Sequence, residues 1–139
     1  MEQLLHYVWK YRLYATNHLT TTDGEPVEVI DPGIHNTDAG PDFFNAKVRI
    51  GGTVWAGSIE IHERSSDWWR HGHDKDKAYD SVVLHLVSLS DACICRSNGE
   101  AIPEALLPVP EQVRRNIGWL LQREASIPCL FQLRYLEPS

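Results

Sequence analysis

FFNAKVRI (43–50), Gly51-Gly52 and TVWAGSIEIH (53–62) decide how this chain folds. Both flanks alternate apolar and polar residues with a period of two, the pattern of strands that bury one face, and the glycine pair supplies a tight reversal between them. The prediction is an antiparallel hairpin with Phe44, Ala46, Val48 and Ile50 on one face. A two-residue turn pairs Val48 with Trp55. Continued without interruption, that register sends Asp42 and Glu60 to opposite faces. A one-residue bulge in the second strand, placed at Gly57, brings Asp42, Glu60 and His62 to the same face.

Outward from the hairpin, PVEVID (26–31) alternates as a half-buried strand and stops at Pro32-Gly33. IHNTDAGPD is a loop crowded with turn residues, in which Asn36 and Asp38 either stabilise the turn or meet a substrate. Near the N-terminus Leu4, Tyr7 or Val8, Tyr11 and Tyr14 repeat at helical intervals and predict a helix over 2–15. Beyond the hairpin, the polar, His-rich stretch from 63 to 79 reads as an exposed loop leading into a short helix. SVVLHLVSL (81–89) is a β-branched core strand. Pro103, Pro108 and Pro110 interrupt regular structure, and Val113, Ile117, Leu120 and Leu121 predict a second helix over 111–124. Helix, three strands, crossover, strand and helix make an α/β domain with a mixed sheet.

At 139 residues, 42% hydrophobic and 23% charged, the chain suits one globular domain. Its 13 basic and 19 acidic residues give a net charge of −6, which excludes nonspecific nucleic-acid binding through a broad basic face. No apolar run suits a membrane span or a signal peptide, and Cys93, Cys95 and Cys129 form no CxxC pair. Cytoplasmic residence is the expectation, with no membrane partner.

Three residue groups carry chemistry. Asp42 opens one hairpin strand, and Glu60-Ile61-His62 lies on the other; two solvent-facing carboxylates suit a hard cation such as Mg2+ or Mn2+ and repel each other without it. His71 and His73, with Asp67, Asp74 and Asp76, offer donors of zinc type, and His85 on the next strand can reach the same region. The same histidines also read as a polar loop that lines the groove of Glu60. Trp68-Trp69 either stack a base or cover a sheet edge.

The order of helix, Pro41-Asp42 at a strand start, hairpin, Glu60-Ile61-His62, helix and strand resembles the core of the PD-(D/E)XK nuclease superfamily, with His62 where lysine usually stands. NTDAGPDFFNAKVRIGG and WAGSIEIHERSSDWWRHGHDKDKAYDSVVLHLV are similar to the bacterial family of unknown function DUF2851, and the similarity runs from HYVWKYRLY through EAIPEALL. Members of that family are longer. The resemblance therefore implies that residues 1–139 are one nuclease-like domain in the N-terminal part of a longer protein, with the remaining C-terminal domain as a partner.

The nuclease resemblance implies a restriction-endonuclease-like α/β sandwich in which helices flank the mixed sheet and its antiparallel hairpin. Asp42, Glu60 and the Ile61 carbonyl would hold Mg2+ or Mn2+, and His62 would orient or deprotonate the attacking water. Asp42, Glu60 and His62 form the expected catalytic set, Glu2 is the acid of helix 1, and His71, His73, Lys47 and Trp68 are the expected contacts to nucleic acid. Histidine lacks the fixed charge of lysine, so catalysis is weakened, passes to Lys47 or is lost. The expected function is divalent-metal-dependent cleavage of phosphodiester bonds; the alternative is a noncatalytic binding or assembly module that keeps a vestigial site.

Overall fold

A computed structural model describes residues 2–14 and 19–116. Helix α1 spans Glu2–Lys10 and buries Leu5, Val8 and Trp9 on one face. It stops short of the predicted residue 15 because Arg12 turns left-handed (φ 54). There Arg12 N–H reaches back to the Trp9 carbonyl (3.2 Å) and Leu13 N–H to that of Val8 (3.0 Å), the paired bonds of a Schellman stop. Tyr14 lies beyond the stop yet still packs, its ring stacked on Trp9.

The strands are β1 (Val27–Asp31), β2 (Ile34–His35), β3 (Phe43–Ile50), β4 (Thr53–Arg64), β5 (Val82–Leu89) and β6 (Glu104–Leu106). They form one mixed sheet in the order β1-β3-β4-β5-β6, with β2 pairing β3 as well. β3 is antiparallel to β1 and β4, whereas β4, β5 and β6 run parallel. A parallel neighbour needs a crossover. Helix α2 (Asp67–Arg70) and two 3-10 turns (His73–Lys75 and Lys77–Ser81) provide it. The main core lies between α1 and the sheet and includes Phe43, Val48, Ile59, Ile61, Leu84 and Leu86. A smaller one of Trp68, Tyr79, Val82, Ile94 and Ile102 forms with the crossover.

The hairpin has the predicted pairing of Val48 with Trp55. Its bulge, however, lies in β3: the register slips between Phe43 and Ala46, where Asn45 is left-handed (φ 57), and Gly57 is not the bulge. Asn tolerates that conformation, and an extra residue in either strand flips the same parity. Phe43 is consequently buried, and Phe44, expected in the core, is 39% exposed. Gly57 has a different task. A Cβ there would lie 2.5 Å from the Ser81 carbonyl oxygen and 2.6 Å from Val83 Cγ1, so the missing side chain lets the start of β5 approach β4. Gly57→Ala is expected to destabilise the fold by about 1–3 kcal/mol. Urea denaturation checks this, and a loss below about 0.5 kcal/mol would mean that β5 shifts freely.

Two strands were not predicted. β2 has two residues, and β6 has three, set between Pro103 and Pro108. Both are too short for a periodic pattern and exist because β3 and β5 present free edges. Residues 111–116 are helical and Val113 packs on the core; Ile117, Leu120 and Leu121 lie outside the described residues. Among the described residues no helix is long and apolar enough to cross a membrane.

Candidate functional site

The β3 bulge sets Asp42 across from Glu60, and backbone and side chains lock the two strands together. Asp42 N–H donates to Glu60 Oε1 (3.0 Å), and Ile61 N–H donates to Asp42 Oδ2 (2.9 Å). The reciprocal bonds hold both acids in place. Contrary to expectation, Glu60 is not solvent-facing: it is 3% exposed. Nor does repulsion from Asp42 dominate it, because imidazoles surround its other oxygen. Glu60 Oε2 lies 3.2 Å from His62 Nε2 and 2.8 Å from His73 Nε2. Asp42 is half-buried beside His6, with Oδ2 and Nε2 3.3 Å apart.

The crossover brings the loop histidines to this point. Gly72, left-handed at φ 74, turns the chain between His71 and His73. His71 Nδ1 comes within 3.2 Å of His62 Nε2. His73 is 8% exposed and stacks face to face on Tyr79 at 3.6 Å between centroids. Its Nε2, although 2.8 Å from Glu60, has no hydrogen-bond partner of acceptable geometry among the described residues. His62, His71 and His73 each bring a ring nitrogen within 4.8 Å of the others.

Behind His62 runs a second row of polar groups. In the parallel register Glu60 lies beside His85 on β5, and His85 lies beside Glu104 on β6. His62 Nδ1 meets His85 Nε2 at 2.8 Å, and His85 Nδ1 meets Glu104 Oε1 at 3.0 Å. Ser90 Oγ donates to the other oxygen of Glu104. Burial keeps His85 neutral by lowering its pKa, whereas the contacts with His85 and Ser90 outweigh burial at Glu104 and keep it ionised. The tautomers follow. His85 Nδ1–H donates to Glu104, His85 Nε2 accepts from His62 Nδ1–H, and His62 Nε2 is directed at Glu60 and His71.

Charge is balanced inside the cluster. Burial favours the neutral acid at Glu60, but His62 and His73 outweigh it and hold the carboxyl at about 2. Burial likewise opposes charge on His62, yet Glu60 raises its pKa above 6.5. Stability from Glu60 is therefore present above its ordinary 4.5 and lost as pH falls towards 2. Stability from His62 is present below 6.5 and lost as pH rises through its folded value. Both shifts describe one contact. The metal-free protein is expected to be most stable between about pH 4.5 and 6.5. A melting temperature that keeps rising above pH 8 would contradict this pairing.

Other expected contacts lie elsewhere. Lys47 is exposed and pairs with Ala56, four residues from Glu60 along β4, or about 13 Å. Trp68 is fully buried against His73, Tyr79 and His85, so it packs the crossover and offers no face to a base. Asp67 Oδ2 accepts from Arg64 N–H, and Asp76 Oδ1 from Ala78 N–H; these acids cap turns. Asn36 likewise braces its loop through Ala39 and Pro41. Glu2 feels the charges of the site: burial raises its pKa against the opposing charge of His62, and Asp42, His6 and His71 also act on it. His6, Tyr79 and Glu104 were not anticipated; for Glu104 the only sequence signal is an acid two places before an apolar residue in a Pro-rich stretch.

The cluster's donor set tests the ion that the nuclease resemblance brings. Mg2+ prefers an octahedron of oxygens. Here three imidazoles converge, the Glu60 carboxylate faces two of them, and the carboxylate of Asp42 is engaged by Ile61 N–H. The set does not fit Mg2+. Over residues 2–139 the chain matches the family described as protein of unknown function, DUF2851. No curated protein and no solved structure matches it.

Proposed function

Since the chain belongs to the DUF2851 family, whose description carries no activity, we propose from its own geometry that it is a nuclease-like hydrolase of phosphodiester bonds. The observation that carries this reading is the placement of Asp42 opposite Glu60, with Ile61-His62 following on the same strand. The element order supports it too: α1, the antiparallel β1-β3-β4 unit, a crossover and the parallel β5 form the arrangement expected of a restriction-endonuclease-like core. Glu2 on α1 adds the expected helix acid.

In this reading the chain's own groups position water and phosphate. While no ion occupies that nitrogen, neutral His62, held by His85, presents Nε2 as the acceptor for a water proton. His71, the exposed member, can donate from its ring to a phosphate oxygen. Glu60 fixes both strands and the facing imidazoles. With a net charge of −6, the protein would recognise phosphate locally, without a broad basic surface. The test is the hydrolysis rate of a bis-aryl phosphate and of short oligonucleotides, with Mg2+, Mn2+ and Zn2+ supplied in turn. His62→Ala and Glu60→Gln should each slow the reaction by about 100-fold or more.

A noncatalytic binding or assembly module is the second reading. It is favoured by one observation: Asp42 and Glu60 already satisfy each other's strand, as a structural pair would. Absence of hydrolysis with every ion would overturn the enzyme reading in its favour.

A further inference from the structure

The spacing around Glu60 resembles the edge of a coordination polyhedron more than a hydrogen-bonded network. Donor atoms about 2.0–2.1 Å from a tetrahedral ion stand about 3.3 Å from each other. In the cluster Glu60 Oε2 is 3.2 Å from His62 Nε2 and 2.8 Å from His73 Nε2, and His62 Nε2 is 3.2 Å from His71 Nδ1. A buried nitrogen at 2.8 Å without hydrogen-bond geometry, as at His73, is a donor atom in want of an acceptor that the protein does not supply. The stacked Tyr79 and the αL turn at Gly72 fix the direction in which that nitrogen points.

We propose that His62, His71 and His73 form a centre for a first-row transition ion of the zinc class, with Glu60 beside the His62 and His73 rings and with His85 and Glu104 as its positioning residues. Three imidazoles are borderline donors, which select zinc-like ions over Mg2+ and Ca2+. The row Glu104, His85, His62 extends the common carboxylate-to-histidine support of metal ligands by one ring. It fixes the tautomer of His62 with the Nε2 lone pair facing the ion, and it reaches the centre from a strand that has no ligand of its own. The site stands on ligand geometry and does not require hydrolysis.

Calorimetric titration of the metal-free full chain with Zn2+ and with Mg2+ tests the proposal, alongside visible absorption of the Co2+-loaded protein. One Zn2+ per chain is expected, bound tighter than Mg2+ by orders of magnitude, and Co2+ should give the bands of a nitrogen-rich site. His71→Ala alters an exposed side chain and so should leave the fold intact while lowering Zn2+ affinity. Glu104→Gln, which touches no ion, should weaken Zn2+ binding by about 10–100-fold. Lack of stoichiometric Zn2+ binding, a preference for Mg2+, or wild-type affinity in both His71→Ala and His73→Ala would overturn the centre. Wild-type affinity in Glu104→Gln would overturn the positioning role. Tight Zn2+ binding without phosphodiester cleavage would leave the centre standing and remove the hydrolase.

Discussion

Glu60→Ala is expected to destabilise the metal-free protein by about 3–5 kcal/mol near pH 6, where His62 carries its proton. The substitution removes the acceptor for Asp42 N–H and leaves an imidazolium buried without its counter-charge. Above the folded pKa of His62 the ring can discharge, so the cost should shrink as pH rises. Glu60→Gln loses the same counter-charge but keeps an oxygen for Asp42 N–H, so it should cost about 1 kcal/mol less than the alanine variant. The difference between the two variants separates the hydrogen bond that ties β3 to β4 from the ion pair. Urea denaturation at pH 6 and pH 8.5 measures both. An alanine variant within about 0.5 kcal/mol of wild type at pH 6 would show that the cluster contributes nothing to the fold.

Trp9→Ala is expected to cost about 3–5 kcal/mol at any pH in that range. Trp9 is fully buried on α1, stacks on Tyr14, and donates from Nε1 to the Pro32 carbonyl at 2.9 Å. Its loss would leave a cavity between α1 and the sheet and an unpaired carbonyl in the turn after β1. Trp9→Phe fills most of the volume but lacks the donor, so the remaining loss, about 1–2 kcal/mol, isolates the bond to Pro32. Because α1 also carries Glu2 and His6 to the cluster, Trp9→Ala should weaken Zn2+ binding as well, through loosened placement of the helix. A loss below about 1 kcal/mol would place the main core elsewhere.

The hairpin was legible from sequence because it rests on local rules. Period-two alternation on either side of Gly51-Gly52 is a property of neighbouring residues, and the pairing of Val48 with Trp55 follows from turn length alone. So does α1 up to Lys10, whose apolar spacing is visible in the chain. The requirement for a bulge was also readable, since without one Asp42 and Glu60 could not share a face. Its position was not. Asn45 and Gly57 serve parity equally well, and the choice depends on β5, whose approach at Ser81 and Val83 claims Gly57 for another purpose.

The sequence by itself determined the α/β order, the hairpin, and the residue types able to do chemistry, because these depend on contacts within a few residues of each other. Only the tertiary structure decided which of those residues meet. Lys47 lies on the same hairpin as Glu60 and ends about 13 Å away, because strand rise fixes that separation. His71 lies across a loop and ends 3.2 Å from His62, because the crossover must return along the strand it left. Glu104 joins His85 only because a parallel edge strand sets the two side by side. Burial, too, is a tertiary quantity: Glu60 reads as a solvent-facing acid in a strand, and it becomes the buried partner of His62 and His73 once α2 and the 3-10 turns close over that face of the sheet.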